Sequence, residues 1–352
     1  MRTIDAAVIG TGWCGGIRAE TLSRSPLVAR LHIAETRPER LAEVAKSTGA
    51  ATATSDYRKL LTNDAIEAVY VCATPESTHY PMAKAALEAS KHVFLEKPIA
   101  LDLREADELI AIAKRKNLKF TIGYSQRFVP KYAYARKKVR DGTLGEPVSA
   151  LVSRHITRGL GQKITGRGRL SPAAMESTHD LDFLLWVLEP AKPVRVYSQG
   201  VGRVMNAGNG AFDQQWMMVT LDSGCVITIG GGWILPPGYP NFSSTWIEII
   251  GSEGALVIDD THRDLWLNTM TGGTVFPLST MPGEQIDHIY AGGMGPETLH
   301  FLDCVVLDKP VLVTPRSART VMEVYTAADL SVGINAPVDL PLSDGALRKS
   351  QA

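Results

Sequence analysis

The 352-residue chain carries 37 basic and 37 acidic side chains, and 45% of its residues are hydrophobic. Balanced charge offers no basic surface for nucleic acid or an anionic membrane, and the length predicts two domains with sizeable cores. No apolar run is long enough to span a bilayer, and Met1-Arg2-Thr3-Ile4-Asp5 runs straight into the first strand without a secretory leader, so a cytoplasmic protein is expected. Cys14, Cys72, Cys225 and Cys304 are dispersed and form no C-x-x-C, which reads as reduced, mostly buried thiols.

In chain order, Ala6 to Ile9 reads as a strand ending in Gly10-Thr11-Gly12-Trp13-Cys14-Gly15, and Ile17 to Leu22 as a helix. In this G-x-G-x-x-G turn Gly10 permits the tight bend. Gly12 lets backbone N–H groups approach a pyrophosphate, and Gly15 lets helix and strand pack closely. The helix N-terminus adds partial positive charge, with Trp13 and Cys14 at its start. A second strand, Leu31 to Ala34, ends at Glu35, twenty residues after Gly15. A carboxylate there accepts a ribose diol and repels a 2′-phosphate, which favours NAD; Thr36 and Arg37 follow, and Arg37 keeps NADP open.

The alternation continues with a short helix over 56–61 and a nearly all-apolar strand over 66–73, as in a parallel sheet covered on both faces. Thr74-Pro75 stops that strand. A helix over 78–89, a strand over 92–96 ended by Lys97-Pro98, a helix over 102–116 and a strand over 118–123 follow. The pattern predicts a dinucleotide-binding Rossmann domain over 1–124, with a doubly wound parallel sheet of about six strands. Its ligand is expected beyond the carboxyl ends of the strands.

After Gly123 a helix is expected over 131–141. Then come β-type runs over 148–155, 194–203, 215–221, 225–232, 245–250, 255–259 and 264–268. Turns such as Asp222-Ser223-Gly224 and Ser252-Glu253-Gly254 imply antiparallel pairing. Helices over 179–188, 296–307 and 316–333 complete an α+β domain over 125–342 with a large, open, mostly antiparallel sheet. One face of that sheet suits helices and the other a second subunit, so a homodimer or homotetramer is expected. Residues 343–352 read as a tail.

Five motifs in this order resemble the Gfo/Idh/MocA family of NAD(P)-dependent oxidoreductases, which includes inositol, glucose and other sugar dehydrogenases. They are Ala7-Val8-Ile9-Gly10-Thr11-Gly12, Ala73-Thr74-Pro75 with His79, Glu96-Lys97-Pro98, Gly123-Tyr124-Ser125-Gln126-Arg127-Phe128, and His179-Asp180-Leu181-Asp182. The resemblance covers essentially the whole chain. It implies that Lys97 and His179 sit over the nicotinamide, with an acid one turn before the histidine. That position, four residues before, holds Met175 here; Glu176, three before, is the candidate acid.

Oxidising a secondary alcohol requires loss of the hydroxyl proton as hydride leaves carbon. Histidine titrates near neutrality and suits the base, so His179 takes that role. A cation beside the oxygen stabilises alkoxide character, the role assigned to Lys97. Strand alternation turns Glu96 away from the target of Lys97. Glu176 partners either substrate or histidine. Thr74, Pro75, His79, Glu96 and Arg127 complete the cofactor candidates; His79 also reads as a satisfied structural histidine, and Arg127 as a tie between the domains. Tyr124, Arg154, His155 and Tyr290 are the substrate candidates. Trp233 and Tyr239 read as packing or as platforms for a sugar face. The glycine-rich loop 157–173, with Arg158, Lys163, Arg167 and Arg169, reads as a solvated loop or an anion-gripping lid. Eight dispersed histidines, with no cysteine at ligand spacing, give no metal site.

The expected function is hydride transfer between NAD, or NADP, and a secondary alcohol or ketone of a sugar, polyol or related ring. Two other readings share these motifs: a dehydrogenase of a cyclic dihydrodiol or carboxylated ring intermediate of aromatic breakdown, and a non-catalytic nucleotide-binding sensor.

Overall fold

The computed structural model describes residues 2–165, 170–206, 211–261, 267–271, 273–275 and 285–343. Arg167, Arg169, residues 264–266 of the last expected strand and residues 344–352 of the expected tail lie outside them. The chain divides into two compact units, Met1–Val129 with Met281–Arg319, and Pro130–Thr280 with Thr320–Ala352.

The first unit alternates strand and helix: β1 (Ile4–Ile9), α1 (Trp13–Ser23), β2 (Val28–Ala34), α2 (Pro38–Thr48), β3 (Thr52–Thr54), α3 (Arg58–Leu61), β4 (Ile66–Val71), α4 (His79–Glu88), β5 (His92–Glu96), α5 (Leu103–Arg115) and β6 (Phe120–Gly123). All pairings are parallel, in the order β3-β2-β1-β4-β5-β6, the doubly wound arrangement. Ala7 of the central strand pairs with His32 on one side and Val69 on the other. Every residue of β1 is buried, because helices cover both faces. Asp102 caps α5 by accepting a hydrogen bond from the Arg104 N–H (2.8 Å).

Far along the chain, the two-stranded pair β15 (Gln285–Ile286) and β16 (Ile289–Tyr290) and helix α9 (Met294–Val306) belong to this unit. Helix α9 packs Phe301, Leu302, Val305 and Val306 into the sheet's core. The rings of Tyr70, Phe94 and Phe301 meet at 5.3–5.9 Å between centroids. Each such buried ring contributes up to about 3 kcal/mol by leaving water.

In the second unit α6 (Pro130–Arg140) precedes β7 (Pro147–Thr157). Helix α7 (Arg158–Thr165), one turn of π-helix (Ala173–Ser177) and α8 (Thr178–Val187) then separate β7 from β8 (Pro193–Val201). Strands β9 (Gln214–Leu221), β10 (Val226–Leu235), β11 (Ser243–Gly251) and β12 (Ala255–Asp259) follow, with a small pair β13 (Leu267–Thr269) and β14 (Gly273–Val275). Helix α10 (Pro315–Ile334) and β17 (Val338–Asp339) end the described chain.

The large sheet runs β12-β11-β7-β10-β9-β8-β17. Its pairings are antiparallel except β7 with β10, which are parallel. The hairpin logic of the turns does not foresee that pair. The helices after β7 carry the chain away from the sheet, and the β8–β9–β10 meander brings it back alongside β7 in the same direction. One sheet face is covered and mostly apolar: Val152, Val219, Ile229 and Ile247 are each fully buried. The other leaves Tyr197, Met218, Trp246, Ile250 and Val257 exposed.

Candidate active site

Helix α1 starts within the glycine turn, just after its second glycine, and that residue, Gly12, is the N-cap and brings no side chain to the first N–H groups. Those donors are left for a ligand. Gly10 has φ +82°, and a Cβ there would lie 2.5 Å from the Ala73 Cα. At Gly15 a Cβ would lie 1.8 Å from the Gly10 carbonyl oxygen, whereas at Gly12 the nearest atom is 4.0 Å away. So two glycines close the turn and the third leaves open room above the helix start. Trp13 there is exposed; the Cys14 thiol is pushed up to about 12, first by burial and then by Glu96. Arg40 of α2 buttresses the turn from behind, donating to Thr11 O (2.7 Å) and Gly12 O (3.4 Å). Nothing in the sequence separates this arginine from the surface cations of an amphipathic helix.

Glu35 directly follows β2, with both oxygens engaged. Thr11 donates its N–H (2.9 Å) and Oγ1 (3.2 Å), and Arg37 its N–H, Nε and Nη2 (3.1 Å each). Burial acts to raise this carboxyl, but the Arg37 and Thr11 bonds outweigh it and hold it at about 2. It is therefore a carboxylate at any ordinary pH. Thr36 beside it is exposed. An uncapped helix start, open space at Gly12 and an ionised acid at the end of β2 fit a dinucleotide's phosphates and adenosine ribose.

The ends of β4 and β5 are joined through His79. Its Nδ1 lies 2.8 Å from Pro98 O and its Nε2 3.0 Å from Ala73 O, so one buried imidazole spans the segments carrying Thr74-Pro75 and Lys97-Pro98. Both X–Pro bonds there are cis. Thr74 and Pro75 are exposed and Lys97 is half-buried. Glu96, in contrast, is held by Arg18 of α1 (Nε 2.9 Å, Nη2 2.6 Å). Arg18 is 1% exposed, lies over the Phe94 ring and also donates to Glu297 (2.7 Å) and Thr298 Oγ1 (2.8 Å). Sequence reasoning missed Arg18 and Glu297. A buried arginine three residues after Gly15 carries no periodicity signal, and its partners lie far away in the chain. Arg127 is also buried within this unit, donating to Leu312 O (3.2 Å) and Ser317 Oγ (3.3 Å). Tyr124 is buried. Tyr290 donates to Glu20 (2.9 Å); burial and that bond push its phenol up to about 12.

In the second unit the π-helical turn and the start of α8 are buried except at two residues, Glu176 and His179, which are half-buried. Met175 packs with Ile156 and Trp233, so the position four before the histidine is core. Arg154 and His155 adjoin on β7 and face opposite ways. Arg154 reaches Asp180 of α8 (2.6 and 2.8 Å). His155 lies near the Trp216 ring (6.2 Å between centroids) and Ser153 Oγ (3.4 Å), and burial lowers its imidazole. Strand alternation therefore divides two residues that sequence reading grouped as substrate contacts. Trp233 is buried. Part of the expected loop 157–173 forms α7, from which Arg158 donates to Ile234 O (3.2 Å) and Lys163 is exposed. A surface cavity of about 770 Å³, lined by Arg136, Arg140, Glu189, Asp222 and Cys225 among others, touches none of these residues. Among the described residues no group of three His, Cys, Asp or Glu side chains could hold a metal, and no helix is long and apolar enough to cross a membrane.

Residues 4–124 match the family model described as oxidoreductase family, NAD-binding Rossmann fold, and residues 132–257 match the GFO/IDH/MocA C-terminal domain. The chain is 32% identical to levoglucosan dehydrogenase of Pseudarthrobacter phenanthrenivorans over 75% of each chain. It is 28% identical to scyllo-inositol 2-dehydrogenase (NAD(+)) of Bacillus subtilis over 96% of each. The crystal structure of scyllo-inositol dehydrogenase from Lactobacillus casei, with NAD(H) and scyllo-inositol, superposes with a TM-score of 0.83 at 21% identity, covering 96% of this chain and 99% of that one. With an NAD-binding fold and a partner domain both matched, the chain belongs to the Gfo/Idh/MocA oxidoreductase family.

Proposed function

We propose that this NAD-dependent dehydrogenase acts on a secondary alcohol of a polyol or sugar ring, with Lys97 and His179 as its reacting side chains. The carrying observation is the setting of Lys97. It is a half-buried cation directly after β5, with Glu96 before it clamped by Arg18 and Pro98 after it clamped by His79. The chain on both sides of this cation is held, and a cation so placed stabilises developing negative charge with less reorganisation. His179 accepts the hydroxyl proton on oxidation and returns it on reduction. Glu176, half-buried on the preceding turn, partners the histidine or the substrate. The glycine turn, Thr36, Thr74, Pro75 and Glu35 hold the dinucleotide, with Arg37 leaving NADP open as a second cofactor. When bound, NAD supplies the hydride acceptor.

The substrate class is supported by relatives whose names give levoglucosan and inositol as substrates. A dihydrodiol substrate or a non-catalytic sensor gains no support from them. Tyr124, Arg127 and Tyr290 stand beside this reading as candidate contacts. We further propose a cytoplasmic homodimer or homotetramer formed through the open sheet face that carries Tyr197, Met218 and Trp246.

Lys97→Met is expected to leave NAD affinity nearly intact and to lower turnover at least about a hundredfold. The assay is nicotinamide absorbance with pooled polyols and sugars. Near-normal turnover by the variant defeats the assignment.

A further inference from the structure

The start of α8 is seated where the covered sheet face turns from an apolar row to a polar one. In register across β10, β7 and β11, the row Ile229–Val152–Ile247 is entirely core. The next row on the same face is Gly231–Arg154–Thr245. A charge thus replaces an aliphatic side chain beside the first turn of α8. Arg154 presents its guanidinium edge to Asp180, Nε to Oδ2 at 2.6 Å and Nη2 to Oδ1 at 2.8 Å. Asp180 is fully buried, and the Arg154 side chain is 13% exposed. Beside it Gly231 leaves room for the preceding turn, because a Cβ there would stand 2.2 Å from Ser177 Oγ. Ser177 and Asp180 are thereby pressed against the sheet. Glu176 and His179, which alternate with them, are the residues left half-buried.

A buried ion pair adds little stability over well-packed apolar residues, but its fork geometry fixes orientation. The helix dipole already favours an acid in this first turn, so stability alone does not call for a buried arginine. The groups acting on Arg154 are Asp180, Tyr132 and Glu176, and its own charge acts on Asp260, which binds Lys131 and Tyr132. Burial works against the Arg154 charge, yet Asp180 holds it well above its usual value, so the fork is permanently charged.

We infer that Arg154 is a positioning residue for the reaction: by gripping Asp180 it sets the first turn of α8 and hence the direction of the His179 imidazole, and it is not a substrate ligand. This rests on the reading of His179 as the acid–base group.

The test compares Arg154→Met, Arg154→Lys, Asp180→Asn, the Met/Asn double variant and His179→Ala. Thermal melting and NAD titration report folding and cofactor binding; kcat, substrate KM and the pH dependence of kcat report the chemistry. The single variants at the pair should bind NAD within about twofold of the parent and lose about tenfold or more in kcat with little change in substrate KM, because a misplacement near 1 Å costs up to about a hundredfold. Their pH profiles should shift, lysine should restore part of the rate, and the double variant should lose less than the product of the single losses. A rise in KM with kcat intact makes Arg154 a substrate ligand and overturns the inference, as do unchanged rates in folded Arg154→Lys and Asp180→Asn, which serve if Arg154→Met fails to fold. Inactive His179→Ala beside fully active pair variants sinks only this inference. Active His179→Ala sinks the functional reading and this inference with it.

Discussion

Replacing Glu35 by Gln keeps the side chain's shape and removes its charge. The carboxylate accepts from Thr11 N–H, Thr11 Oγ1 and three Arg37 donors. An amide has one acceptor oxygen, so whichever way it turns, its NH2 group faces donors from one side of this ring. Arg37 is 62% exposed and recovers bonds to water, so its share of the loss is small. The Thr11 side is buried, where an unmet donor costs about 1–3 kcal/mol, so the amide is expected to turn its oxygen to Thr11 and leave its NH2 against the Arg37 N–H and Nε. The pH dependence follows from a folded pKa of about 2 against the ordinary 4.5. A depressed carboxyl contributes stability that is complete above its unfolded value and is lost as pH falls toward its folded value. The gap between the parent and Glu35→Gln should therefore be constant above about pH 4.5 and close progressively below it. Urea unfolding at a series of pH values reads this gap. The same variant no longer repels a 2′-phosphate, so the ratio of NADP to NAD affinity should rise about tenfold or more by isothermal titration, equivalent to about 1.4 kcal/mol. An unchanged cofactor preference, together with a stability difference that stays flat to about pH 3, refutes the reasoning.

Gly15→Ala places a methyl group 1.8 Å from Gly10 O, so α1 must move off the turn. The expected result is about 1–3 kcal/mol of lost stability and an NAD affinity reduced at least about tenfold; parental affinity refutes it. Asp329 accepts from Gln215 Nε2 (3.0 Å) and Ser171 Oγ (2.9 Å), but burial outweighs both and raises its carboxyl to about 6. A raised acid binds its proton more tightly when folded, so its contribution is greatest below the ordinary 3.8 and is lost as pH rises through about 6. Relative to Asp329→Asn, the parent should lose stability over that window and run parallel above it; urea midpoints that run parallel throughout exclude this.

Local features were legible in the chain itself. The glycine turn, Glu35 twenty residues on and the all-apolar parallel strands depend on backbone conformation and side-chain period within one or two elements. The strand ends at Thr74-Pro75 and Lys97-Pro98 were readable for the same reason. What folding in three dimensions decided is which distant group each charged or aromatic side chain meets. Arg18 became a buried clamp because residues 96 and 297 supply its carboxylates. Arg154 and His155 took opposite faces, Met175 became core while Glu176 did not, and Phe301 entered the first sheet from far along the chain. Periodicity reports the direction of a side chain relative to its own element. The partner it meets depends on which elements pack together, and that depends on contacts spread over the whole chain.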